Sequence, residues 1–165
     1  MKLLLRSENE LILQIESEPE TEELGRALAS VLEPGVVLGL VGTLGAGKTR
    51  LVRALAEALG VEAGAIASPT FVLIHEYVGR FPIYHFDAYR LSNPDDFDSL
   101  GASDYWAEKQ GVCLIEWADL VADRLPHETW WIRIELDGPT GRRVSIASPE
   151  AGRIADRLDR SVRMG

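Results

Sequence analysis

Residues 42–49 read GTLGAGKT and satisfy the spacing G-x-x-x-x-G-K-[ST] in full. No other segment limits the fold so tightly. Before it stands VVLGLVG (36–42), a continuous apolar run bounded by glycine, which suits a strand covered on both faces in a parallel sheet. After it, KTRLVRALAEALG (48–60) puts Leu51, Val52, Leu55 and Leu59 on one side of a helix, with Gly60 as the stop signal. In that context Gly42, Gly45 and Gly47 let the backbone bring its N–H groups onto phosphate oxygens. The helix beginning near Lys48 aims unpaired N–H groups and the positive end of its dipole at the same anion. Lys48 is expected to place a point charge between the β- and γ-phosphates, and Thr49 to offer a hydroxyl to Mg²⁺. A plain glycine-rich turn would explain neither residue.

The rest of the chain fits an α/β layered domain built around that unit. At 165 residues with 46% apolar content it suits one compact domain, residues 1–165, with a sizeable core. Thr21 is the expected cap of a helix carrying Leu24, Leu28 and Leu32 as an apolar stripe, which Pro34-Gly35 stops. Residues 11–16 alternate weakly, as a short strand or arm. Residues 71–77 and 81–87 read as strands joined by a Val78-Gly79-Arg80 turn. Asn93 and Pro94 open one helix and Ser103 another. VCLIEW (112–117) is a second buried-strand candidate, and residues 129–136 and 142–148 form a hairpin around DGPTG. Residues 150–163 are an expected helix. The sheet is therefore expected to be mainly parallel at its centre, with a C-terminal hairpin, in the manner of P-loop NTPases.

The net charge of −9 gives no overall attraction to a polyanion, which argues against stand-alone nucleic-acid binding. The lone Cys113 excludes an internal disulfide and fits a reducing, cytoplasmic setting. No uncharged stretch reaches the roughly 18 residues of a spanning helix.

A phosphate-binding loop of this type works with a carboxylate at the end of a buried strand. Two are available: Glu116 ends VCLIE and Asp87 ends PIYHFD, and spacing does not choose between them. Thr70, in SPTF, either starts a strand or senses γ-phosphate and Mg²⁺ as a switch threonine does. There is no N-K-x-D segment for guanine, and no long Arg-rich insertion of the kind that closes small-molecule kinases. The balance favours an ATPase whose cycle drives something else. The alternatives are a small-molecule P-loop kinase and a non-hydrolysing nucleotide-dependent binding module.

GTLGAGKT, SPTF, YHFDAYRL and LIEWAD, in this order and at these separations, resemble the TsaE (YjeE) family, the bacterial ATPases of tRNA threonylcarbamoyladenosine biosynthesis. The likeness runs from about Thr21 to about Ser148. It implies a P-loop α/β fold, ATP with Mg²⁺, and action on a complex of TsaB and TsaD that transfers threonylcarbamoyl to the adenosine next to the tRNA anticodon, so that tRNA is met indirectly. It implies that Gly42, Thr43, Leu44, Gly45, Ala46, Gly47, Lys48, Thr49 and Arg50 hold nucleotide together with Trp117. It makes Lys48, Thr70, Asp87 and Glu116 the catalytic set, with Thr49 and Glu116 toward Mg²⁺ and Asp87 toward water or the partner.

This chain departs from the family pattern at two positions. Thr43 replaces the usual Asp, removing a negative charge beside the phosphates, a change expected to tighten nucleotide binding or alter hydrolysis. Arg50 stands where Thr or Ser is common. Outside the motifs, His85 shares a strand face with Asp87. Arg90 is expected to pair with a carboxylate or to face nucleotide or a partner. Trp130 and Trp131 must face opposite sides of their strand. Arg153, Arg157, Arg160 and Arg163 fit a solvated helix face.

Overall fold

The computed structural model describes residues 1–66, 73–91 and 93–164, with side chains to 160. In chain order the strands are β1 (Lys2–Arg6), β2 (Glu10–Ile15), β3 (Val37–Val41), β4 (Ile74–Val78), β5 (Pro82–Asp87), β6 (Val112–Glu116), β7 (Trp130–Asp137) and β8 (Gly141–Ala147). The helices are α1 (Glu18–Val31), α2 (Lys48–Ala58), α3 (Pro94–Ser99), α4 (Ala102–Ala107) and α5 (Ala151–Met164), with 3₁₀ segments at Ala88–Arg90 and Ala118–Arg124.

All eight strands form one sheet, in the order β1-β2-β8-β7-β3-β6-β5-β4. Its centre is parallel: β3 pairs with β6 and β7, and β5 with β6. Both flanks are antiparallel, through β7–β8, β8–β2 and β2–β1 on one side and β4–β5 on the other. The expected central sheet and C-terminal hairpin are both present. Every residue of β3 and of β6 is buried, as their unbroken apolar runs require.

The two faces carry separate cores. Leu24 and Leu28 of α1, Leu51 and Leu55 of α2, and Ile154 and Leu158 of α5 pack with Leu38, Leu40 and Leu114 on one face. Phe97 of α3, Ala102 of α4, and Ala118 and Val121 pack with Val37, Phe86 and Ile115 on the other. Trp130 is buried in the first core while Trp131 packs against the second, so the adjacent tryptophans serve opposite faces. On α5 the arginines Arg153, Arg157 and Arg160 lie exposed, and Arg153 pairs with Glu150 at 2.7 Å.

Some boundaries differ from the sequence reading for identifiable reasons. α1 starts at Glu18 with Ser17 as its N-cap, ahead of the expected Thr21. Pro19 suits the first turn, where its missing N–H is no loss, and Thr21 sits inside the helix with its hydroxyl directed to the Ser17 carbonyl. α4 begins after Gly101, whose φ of 67° sets the turn, ahead of the expected Ser103. Val78 pairs with Pro82, so the β4–β5 turn is made by residues 79–81. β1 was not anticipated. Among the described residues no helix is long and apolar enough to cross a membrane.

Candidate phosphate-binding site

β3 ends at Val41 and α2 begins at Lys48, and the turn between them leaves the helix start open. Gly47, its N-cap, has φ 110°; among the described residues no side chain caps the helix, and no acidic residue stands in its first turn. The first N–H groups of α2 therefore lack capping partners, the arrangement that favours an anion. Gly42 is required for a different reason: a Cβ there would lie 2.5 Å from the Ile134 carbonyl oxygen of β7.

Lys48 is 5% exposed. Its Nζ donates to the carbonyls of Gly42 (2.6 Å) and Thr43 (3.0 Å). It also sits 3.8 Å from the centroid of the Trp117 ring, a cation–π contact. Burial pulls its pKa below the ordinary lysine value, while Glu116, Asp87 and Asp119 act in the opposite sense.

Behind the lysine runs a buried chain of hydrogen bonds. The Thr49 hydroxyl donates to Glu116 Oε2 at 2.9 Å, and Glu116 Oε1 lies 2.9 Å from His85 Nε2. His85 is 0% exposed and Glu116 3%. Three elements thus converge on one carboxylate: α2 brings Thr49, β6 brings Glu116 and β5 brings His85. The sequence motifs mark Thr49 and Glu116. The role of His85 as a partner of Glu116 emerges only from the β5–β6 register, which sets His85 beside Leu114 and Asp87 beside Glu116.

Asp87 ends β5 and accepts the Tyr89 N–H at 3.0 Å. Burial raises its pKa above the ordinary aspartate value; that hydrogen bond opposes the rise, and the charge on Glu116 adds to it. Trp117 follows Glu116 with φ 58°, a left-handed conformation that a bulky residue rarely adopts. This turn brings its ring over Lys48 and within 4.7 Å of Tyr89.

These groups border an open cavity of about 330 Å³ lined by the loop, Asp87, Arg90, Glu116 and Trp117. Gly45, Gly47, Lys48 and Thr49 line it, and Leu44 stands at its edge, 78% exposed. Arg50 also borders it, although its guanidinium pairs with Glu18 of α1 at 2.7 Å. Ala46 faces inward and is buried. Beyond Trp117 lies a second cavity of about 470 Å³, bordered by Thr43, Asp119 and residues 133–136 of β7. It is the larger space, but neither Lys48 nor Thr49 lines it; both line the smaller one. Thr70 lies outside the described residues.

One residue near the loop carried no sequence signal. Arg142, at the start of β8, donates from Nε to the Ala46 carbonyl at 3.0 Å and from Nη2 to the Gly45 carbonyl at 3.5 Å. The two segments are 96 residues apart, and only the β3–β7–β8 order brings them together.

The arrangement suits a polyphosphate with a divalent cation. Among the described residues the positions above Gly45 and Gly47 are open, since a Cβ at either would meet no atom within 4 Å. A hydroxyl and a carboxylate already face each other at 2.9 Å, and hard oxygen donors of this kind suit Mg²⁺.

Residues 15–144 match the family model described as "Threonylcarbamoyl adenosine biosynthesis protein TsaE". The tRNA threonylcarbamoyladenosine biosynthesis protein TsaE of Bacillus subtilis is 41% identical over 130 residues, 78% of this chain and 80% of that one. The protein of the same name from Treponema pallidum is 40% identical over 131 residues, 79% of this chain and 96% of the other. The crystal structure of Bacillus subtilis YdiB superposes with a TM-score of 0.73 at 32% identity, covering 98% of each chain.

Proposed function

We propose, from the premise that this chain belongs to the TsaE family, that it is a Mg²⁺-dependent ATPase supporting threonylcarbamoyl transfer to tRNA adenosine through a TsaB–TsaD complex. The observation that carries the nucleotide reading is the uncapped start of α2, with Lys48 and the Thr49–Glu116 pair beside it. The place in tRNA modification rests on the family.

In this reading the loop N–H groups and Lys48 hold the β- and γ-phosphates, and Lys48 exchanges its carbonyl acceptors for phosphate oxygens. Thr49 and Glu116 would hold Mg²⁺, which would supply charge screening of the phosphates and polarisation of the γ-phosphoryl group. His85 keeps the Glu116 carboxylate turned toward Thr49. Asp87, its pKa raised by burial, is placed to orient a water and take its proton at a carboxylate oxygen. Trp117 and Tyr89, with ring centroids 4.7 Å apart, form part of the wall of the site. TsaB and TsaD are the proposed partners, and tRNA is reached through them.

The test measures phosphate release and modified tRNA together, for the chain alone and with TsaB, TsaD and tRNA. Weak hydrolysis alone, raised by the partners and matched by repeated rounds of modification, is expected. Glu116→Ala should keep much of the nucleotide affinity and lose Mg²⁺-dependent hydrolysis by about 100-fold or more. Full hydrolysis in that variant would move the metal role to Asp87.

A further inference from the structure

Residues 44–47 form the least supported arc of the loop. Leu44 is largely exposed, and among the described residues neither Gly45 nor Gly47 has a neighbour against which a side chain could rest. Both glycines take positive φ, 77° and 110°. The Ala46–Gly47 peptide unit ends on one of these glycines, and on that side no Cβ restricts its rotation. In a trans peptide the carbonyl and the N–H point in opposite directions. Turning over the Ala46–Gly47 unit would therefore present a carbonyl, in place of the Gly47 N–H, to an incoming anion.

Two features oppose that motion. The Ala46 methyl is buried and its N–H donates to the Thr43 carbonyl at 3.1 Å. From outside, Arg142 donates to the Ala46 and Gly45 carbonyls, and its Nη1 donates to the Gly141 carbonyl at 2.8 Å. Among the described residues, no other hydrogen bond reaches this arc from beyond the loop and α2. The guanidinium is thus committed to carbonyl oxygens alone.

We infer that Arg142 is a positioning residue for anion binding, which holds the Gly45 and Ala46 carbonyls outward and so keeps the Gly47 N–H turned toward the phosphate. The inference rests on the phosphate-binding reading of the loop. The physical basis is the shape of the side chain. A planar fork of N–H donors engages adjacent acceptors in fixed directions, which a lysine ammonium cannot do. Donation to the Ala46 carbonyl also polarises its peptide, making the Gly47 N–H a stronger donor. The C-terminal hairpin therefore contributes to the site through the loop backbone without touching the ligand.

The experiment compares the full-length chain with Arg142→Ala, Arg142→Lys and Lys48→Ala. It measures Mg²⁺-ADP affinity by calorimetry, amide exchange across residues 43–48 without nucleotide, and the melting midpoint. Arg142→Ala and Arg142→Lys should both weaken ADP binding by about tenfold. Both should speed exchange in the loop while exchange elsewhere stays unchanged. Arg142→Ala with unaltered affinity, Arg142→Lys with full affinity, or unaltered loop exchange would each overturn the inference. Loss of binding in Lys48→Ala together with normal binding in Arg142→Ala would sink this inference alone. Normal ADP binding in Lys48→Ala would instead remove the phosphate-site reading, and loop exchange would still report whether Arg142 holds the arc. If Arg142→Ala does not fold, Arg142→Lys, which keeps stem and charge, decides.

Discussion

Two helices of this molecule begin in opposite ways. α3 closes its own start: the Asn93 side chain accepts the Asp95 and Asp96 N–H groups, the Asp96 carboxylate accepts the Asn93 N–H, and two acids stand in the first turn. α2 begins with a glycine in the left-handed region, no capping side chain and no acid, and its first residue is a lysine. The dipole and the orphan donors are common to both helices. In α3 the chain satisfies them itself, whereas in α2 it leaves them for something else. The charge pattern of a first turn thus separates a helix start that is finished from one that is left open.

The largest effect is expected from Lys48→Ala, which removes the cation from the open start. Nucleotide affinity measured by calorimetry should fall by about 100-fold or more. Unchanged affinity would erase the distinction between the two helices. A smaller effect is expected from Arg50→Asp, which gives α2 the kind of first-turn acid that α3 has. Affinity should drop by about fivefold. Loss of the exposed Glu18 pair should change stability little.

The reciprocal change opens α3. Asn93→Ala should lower stability by about 1 kcal/mol in urea titrations and leave nucleotide affinity alone. A matching loss of affinity would show that the two helix starts are coupled. The smallest effect concerns the interior of β6, three residues before its functional end. Burial pushes the Cys113 thiol up to about 12. An unfolded chain ionises this group near its ordinary value of 9.0, so its contribution to stability is complete below that pH and is lost as pH rises toward 12. At pH 8 the native protein should not react with an aromatic disulfide reagent, and the urea-unfolded protein should. Prompt reaction of the native protein would mean that this strand opens far more easily than its packing implies.

What could be read from the sequence was mostly what is local. The strand, loop and helix from residue 36 to 60 carry their own signals in glycines and apolar spacing, and all three elements are present. The Asn93 cap is equally local. Glu116 and Asp87 could be marked as strand-end carboxylates, but their separate hydrogen-bond partners depend on register across β5 and β6. β1 was not legible because its five residues are all exposed: LLL carries no alternation, and pairing with β2 alone defines it as a strand. Arg142 was not legible because it acts on backbone carbonyls, and backbone leaves no residue pattern to match. Ser17 was passed over for Thr21 because both are good caps, and the proline between them decides.

Lys48 rests on two carbonyls of its own loop and on the face of Trp117. Any phosphate that takes this lysine competes with acceptors that are covalently tethered and always present. The gain on binding is therefore a difference between two satisfied states, and the return of the side chain to its loop accompanies departure of the ligand. A cation stored in this way shortens the residence time of any anion that takes it.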